Sequence, residues 1–182
     1  GGADPTFFGS AKPFDGTYGK GKGFLYEGGI RVPMIASWPN HIQSGQRSDL
    51  PSVHYDMLAT FGEVAGFDIP TDTDGISILP TLLGKTDQKE HEYLYWEFPS
   101  YGGQVAIRMG EWKLVRQNLS NKEPSTLELY HLKNDPTEQH NVADQHPEIV
   151  KKAAMIFKNE REAPELEHFK IPEIENGLIA EN

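Results

Sequence analysis

Fifteen residues near the start of the chain concentrate the groups that could do chemistry: Gly19-Lys20-Gly21-Lys22-Gly23-Phe24-Leu25-Tyr26-Glu27-Gly28-Gly29-Ile30-Arg31-Val32-Pro33. Five glycines let the backbone take positive φ and approach a ligand closely, and two lysines among them can meet an anion. Read as residues, this segment is one wall of an oxyanion pocket. Glu27 and Arg31, four apart beside paired glycines, read as an ion pair bracing the loop rather than as substrate contacts. A nucleotide loop fits poorly. Gly16 to Lys22 matches G-x-x-x-x-G-K, but Gly23 stands where Ser or Thr must hold magnesium, and no apolar strand precedes it.

The bulk composition narrows the partners. A net charge of −10 argues against nucleic acid or an anionic membrane, which need a basic face. Residues 1–49 hold five basic and four acidic side chains, so all of the net negative charge lies downstream and an anion site belongs at the N-terminal end. The absence of cysteine removes disulfides, thiolate metal sites and cysteine nucleophiles. No stretch reaches the ~18 consecutive apolar residues a membrane span needs. The seven histidines form no ligand cluster in the sequence, and His140 and His146 read as surface residues around a turn.

The elements that must position the glycine–lysine segment come next. Residues 1–23 carry neither helical nor strand period, and Phe7, Phe8, Phe14 and Tyr18 predict an ordered loop packed on something. Val32–Trp38 reads as a short strand buried on both faces. Ser52–Ala65 reads as a helix, with Ser52 as N-cap, a stripe of Met57, Leu58, Phe61, Val64 and Ala65, and Gly66 beyond its end. Ile76–Leu83 closes as a helical turn at Gly84. Then strands are expected at Tyr93–Phe98, Val105–Met109, Trp112–Arg116 and Leu127–Leu132, the middle pair joined by a Gly110-Glu111 hairpin of type II′. A helix follows from Pro147 to about Glu162.

The expected organisation is therefore 1–89, an incomplete α/β portion, and 90–182, a four-stranded antiparallel sheet with a C-terminal helix. One buried strand and one helix do not make a sheet. That imbalance, and an opening on Gly-Gly-Ala-Asp-Pro in mid-loop, read as a chain cut from something larger.

Several landmarks in series resemble the sulfatases of the alkaline-phosphatase-like superfamily. They are Gly21-Lys22-Gly23, Tyr26-Glu27-Gly28-Gly29-Ile30-Arg31-Val32-Pro33, Tyr55-Asp56-Met57-Leu58, Asp74-Gly75-Ile76-Ser77-Ile78-Leu79-Pro80 and Tyr95-Trp96-Glu97-Phe98. Ala106 to Val115, Glu128-Leu129-Tyr130 and Asp135-Pro136-Thr137-Glu138 continue the likeness to the C-terminal third of such an enzyme. The resemblance implies hydrolysis of an aryl or carbohydrate sulfate ester, with Lys22 contacting a sulfate oxygen; Lys20 reads as solvated and is the rival for that contact if the register shifts. It implies calcium and a formylglycine nucleophile in the parent protein, neither held by residues of this chain. No Ser here has Pro two on and Arg four on, as the nucleophile motif requires. Asp4 and Asp15 match no ligand motif, so the chain alone is expected to be inactive and to need the N-terminal part of the same protein.

Many family members carry a His-Glu pair after the Trp-Glu-Phe strand; here Pro99-Ser100-Tyr101-Gly102-Gly103 stands instead. Tyr101 and Gln104 are the candidates there for contacting the alcohol part of a sulfated small molecule or carbohydrate. Asn118-Leu119-Ser120 is a glycosylation sequon that matters only in a secreting eukaryote. The family resemblance implies a periplasmic, secreted or lysosomal setting. Two rivals remain at this point: a metal-dependent phosphodiesterase or phosphomutase of the same superfamily, and a non-catalytic binding or assembly module.

Overall fold

The structure is a computed structural model that describes residues 9–69, 72–120 and 126–175. Phe7, Phe8 and Asp4 lie outside the described residues. The chain divides into two units, Gly1–Val32 with Tyr93–Asn182, and Pro33–Glu92. The glycine–lysine segment therefore belongs with the C-terminal sheet, not with the residues that follow it. These units do not coincide with the expected portions 1–89 and 90–182.

The sheet is an antiparallel meander of β1 (Leu94–Phe98), β2 (Gln104–Met109), β3 (Trp112–Arg116) and β4 (Glu128–His131) in that order. Met109 pairs with Trp112 across the two-residue Gly110-Glu111 loop. Gly110 takes φ +57 while Glu111 does not take positive φ, as a turn with glycine first demands.

Alternation then sorts the side chains onto two faces. Val105, Ile107, Met109, Leu114 and Leu129 pack one face against Ala153 and Phe157 of α4 (Pro147–Glu160), with Ile171 and Ile174 beside them. The other face carries Ala106, Val115 and Tyr130. It is covered not by a helix but by Phe24, Leu25 and Tyr26 of the glycine–lysine segment. That segment ends in a single turn, α1 (Glu27–Ile30).

In the second unit α2 spans Asp56–Ala65 and α3 spans Leu79–Leu82. Gly66 closes α2 in the left-handed conformation, φ +73, which costs glycine nothing. The N-terminus differs from expectation. Tyr55 is the cap residue, and the side chain of Asp56 satisfies free amides instead, accepting from Val53 N and Ile76 N at 2.9 Å each. Asp56 Oδ1 also lies 2.8 Å from His91 Nε2.

Two further expectations are corrected here. Val32–Trp38 forms no strand, and Ile35 is 94% exposed. Its apolar run would need hydrogen-bonded partners to form a strand, and it is paired with none among the described residues. The α2 stripe is likewise turned out: Leu58, Phe61 and Val64 are exposed, and Ala59 and Thr60 are buried instead.

Candidate functional site

The segment from Asp15 to Glu27 folds on itself before it packs on the sheet. Asp15 Oδ1 accepts from Thr17 N and Thr17 Oγ1, and the latter bond holds the Asp15 carboxyl below its usual range. The paired glycines are needed for backbone contact. A Cβ on Gly28 would lie 1.7 Å from the Asp15 carbonyl oxygen, and one on Gly29 would lie 2.0 Å from that of Phe24. Gly23 takes φ +91, which reverses the chain just after Lys22.

Lys22 is exposed. Among the described residues it has no hydrogen-bond or ion-pair partner, so its ammonium is available to an anion. Lys20 is placed otherwise than expected. It is partly buried, donates to the main-chain carbonyl of Glu138, and lies 5.1 and 5.6 Å from the centroids of Tyr26 and Tyr130. Its charge is spent on structure.

Beneath the loop sits a buried ionic cluster. Glu27 is 2% exposed and Lys113 is fully buried. Lys113 Nζ donates to Glu27 Oε1 at 2.9 Å and lies 3.0 Å from Glu138 Oε1, out of line for a hydrogen bond. The expected partner Arg31 is present too, its Nη1 3.3 Å from Glu27 Oε2, and its guanidinium stacks 4.7 Å from the Phe14 ring. Arg108 Nη1 adds a third cation at 3.9 Å.

Burial raises the Glu27 carboxyl most, but Lys113, Arg108 and Arg31 together outweigh it and hold Glu27 below its usual range. Glu138 moves the opposite way. Burial dominates, Glu27 adds to it, and Lys113 does not compensate. Glu27 is the better-served carboxylate, with three cations against one, so this ordering follows from the geometry.

A second network anchors Tyr26. Its hydroxyl donates to Glu128 Oε2 and accepts from Gln117 Nε2 at 2.7 Å, and Tyr130 donates to the same Glu128 oxygen. Burial, with the Glu128 hydrogen bond behind it, raises both phenols well above the usual range, so they stay neutral donors.

Gln104, expected to contact the alcohol part of the substrate, lies in the interior. It is fully buried, its Nε2 donates to Gly23 O at 2.9 Å, and its Oε1 accepts from Leu25 N at 3.3 Å. Both ends of the amide contact the loop backbone in the buried interior, so Gln104 positions the lysine loop. Tyr101 stays at the surface, 56% exposed, with φ +52. Left-handed backbone at a non-glycine costs ~1–3 kcal/mol unless its surroundings enforce it. Here Gly102 and Gly103 are also left-handed, and their carbonyls accept from Ser120 N and Leu119 N. The result sets the Tyr101 ring 5.4 Å from Phe24, so close to Gly23 that a Cβ there would lie 2.9 Å from Tyr101 Cε2. Lys22 and Tyr101 are thus neighbours through Gly23.

Arg108, Lys113 and Glu138 stand in the family landmarks but were not among the candidate site residues read from sequence. One signal was available. The Gly110-Glu111 turn fixes Arg108 opposite Lys113. Like charges directly opposite are destabilising, so that register calls for a carboxylate over both.

Among the described residues no group of three carboxylate, imidazole or thiolate side chains converges on a metal position. Among them no helix is long and apolar enough to cross a membrane.

Comparison with known proteins gives consistent matches. The profile described as N-sulphoglucosamine sulphohydrolase, C-terminal, matches residues 16–162. Human arylsulfatase A is 34% identical over 158 residues, which cover 71% of this chain and 30% of that protein. The N-acetylgalactosamine-6-O-sulfatase of Bacteroides thetaiotaomicron is 31% identical, covering 79% of this chain and 30% of that protein. Among solved structures, Ps i-CgsB superposes with a TM-score of 0.69 at 26% identity, over 99% of this chain and 39% of that one. The chain thus spans less than a third of the curated relatives it matches.

Proposed function

The chain belongs to the sulfatase family, and on that premise we propose that it forms the lysine wall and C-terminal subdomain of a sulfuric ester hydrolase. The observation that carries the reading is the contrast between the two lysines: Lys20 is spent on the Glu138 carbonyl and two phenol rings, whereas Lys22 is exposed on a loop fixed by buried polar contacts. Hydrolysis of a sulfate monoester builds negative charge on the bridging and peripheral oxygens as the S–O bond breaks. A pre-oriented ammonium stabilises that charge without reorganising at the moment of reaction. Lys22 holds and orients the sulfate group. Tyr101, set beside Gly23, presents its ring to the alcohol part of the substrate.

The nucleophile and the metal ligands belong, on this reading, to polypeptide outside the present sequence, so this chain alone does not hydrolyse a sulfate ester. Relatives named for an arylsulfate and for an N-acetylgalactosamine 6-O-sulfate favour an aryl or carbohydrate sulfate as the substrate class. The compartment goes with the family: periplasmic, secreted or lysosomal.

Chemical labelling tests the sulfate contact. In the complete enzyme, inorganic sulfate is expected to slow acetylation of Lys22 while leaving Lys133, also exposed, unaffected. Equal labelling of both lysines with and without sulfate would contradict the assignment.

A further inference from the structure

We infer that Glu138 is a positioning residue for Lys22, the latch that holds both ends of the loop carrying it. Three contacts meet in this one residue. Its main-chain carbonyl accepts from Lys20 Nζ, its Oε2 accepts from the Glu27 backbone N–H at 2.7 Å, and its Oε1 faces Lys113 Nζ at 3.0 Å. Lys20 and Glu27 bracket the segment that presents Lys22.

The Glu27 N–H opens α1, where no intrahelical acceptor exists for it, so the Glu138 carboxylate is its partner. Glu138 is itself held at φ +55 in the turn begun by Asp135, whose carbonyl accepts from Glu138 N at 3.2 Å. Asp135 Oδ2 accepts from Gln139 N and His140 N at 2.8 Å each, which stiffens the turn from the other side. Gln104 clamps the middle of the same segment at Gly23 and Leu25. Lys22 is therefore presented by a segment tied through the Lys20 side chain to the Glu138 main-chain carbonyl, held in the middle by Gln104, and fixed at the Glu27 backbone by the Glu138 carboxylate. A carboxylate 1% exposed with one oxygen short of a hydrogen bond is costly to bury. A loop-positioning role accounts for its retention.

The inference rests on the reading of Lys22 as the sulfate contact, and the test separates the two. Glu138→Met is near-isosteric and removes the acceptor; Glu138→Gln keeps an oxygen for the Glu27 amide. Residue-resolved hydrogen exchange on the whole chain reads the latch without any activity. Glu138→Met is expected to speed exchange at Glu27 N–H by about tenfold or more, the scale of losing a charge-assisted hydrogen bond. Amides of β2 and β3 should stay protected, and Glu138→Gln should retain the Glu27 protection.

In the enzyme that carries this chain, Glu138→Met should lower kcat on an aryl sulfate with KM little changed. Glu138→Gln should recover the rate, and adding Glu138→Met to Lys22→Ala should lower it no further. An unchanged Glu27 amide in folded Glu138→Met overturns the inference. So does a Glu138→Met chain that loses the sheet while Glu138→Gln keeps it, because Glu138 would then support the fold and not the loop. Additive losses in the double variant overturn it as well. If Lys22→Ala alone is silent, the sulfate reading fails instead, and the exchange measurement still judges the latch.

Discussion

At Lys113 a fully buried side chain sets its Nζ 2.9 Å from Glu27 and 3.0 Å from Glu138, between two carboxylates that would otherwise face each other in a dry interior. Removing one partner of a buried pair strands the rest and costs ~3–5 kcal/mol. Lys113→Ala is therefore expected to destabilise the chain by about that amount in denaturant unfolding, and a loss under ~1 kcal/mol would mean the carboxylates find other partners.

The two carboxylates also give opposite pH signatures. Glu27 has its folded value below the ordinary 4.5, so its stabilisation is present above that pH and fades as pH falls through the folded value. Glu138 has its folded value above 4.5, so its contribution is intact below that pH and is lost as pH rises through the folded value. Glu138→Gln removes only the second effect. Its Tm relative to wild type should therefore rise as pH increases above the ordinary 4.5; a difference that falls as pH increases would reverse the assignment.

Among the elements, those set by local signals were legible in the sequence. The Gly110-Glu111 hairpin, the Gly66 end of α2 and the Pro147 start of α4 each depend on a few adjacent residues. Elements that depend on distant neighbours were misread. The apolar run at Val32–Trp38 signals burial, but a strand also needs partners, and none is paired with it among the described residues. Gln104 looked like a pocket residue because it follows the Tyr101 loop; the pairing of β1 with β2 instead turns it onto the face covered by the lysine segment.

The α2 helix shows the same limit. Its periodic stripe was correct as a pattern, yet Phe61 is 65% exposed. A helix so poorly covered opens at low free-energy cost. Hydrogen exchange in this chain is expected to protect β2 and β3 well and α2 weakly; equal protection of α2 and the central strands would show that its stability does not come from the packing seen here.

On the scale of the whole molecule, the sheet is a platform with two different coverings. Its α4 face is an ordinary apolar core, and its other face carries the ionic cluster under the lysine segment. The candidate site was half legible. Lys22, Glu27 and Arg31 stand together in one stretch of sequence, whereas Arg108, Lys113 and Glu138 reach it only through strand register and a distant turn.

The central claim is that Lys22, and not Lys20, meets the sulfate. Its most direct test is kcat/KM for an aryl sulfate ester in the complete enzyme, comparing Lys22→Ala with wild type at matched thermal stability. Loss of one pre-oriented charge-stabilising group should lower the value by about 10² or more. A stable Lys22→Ala enzyme that turns over at the wild-type rate would contradict the account.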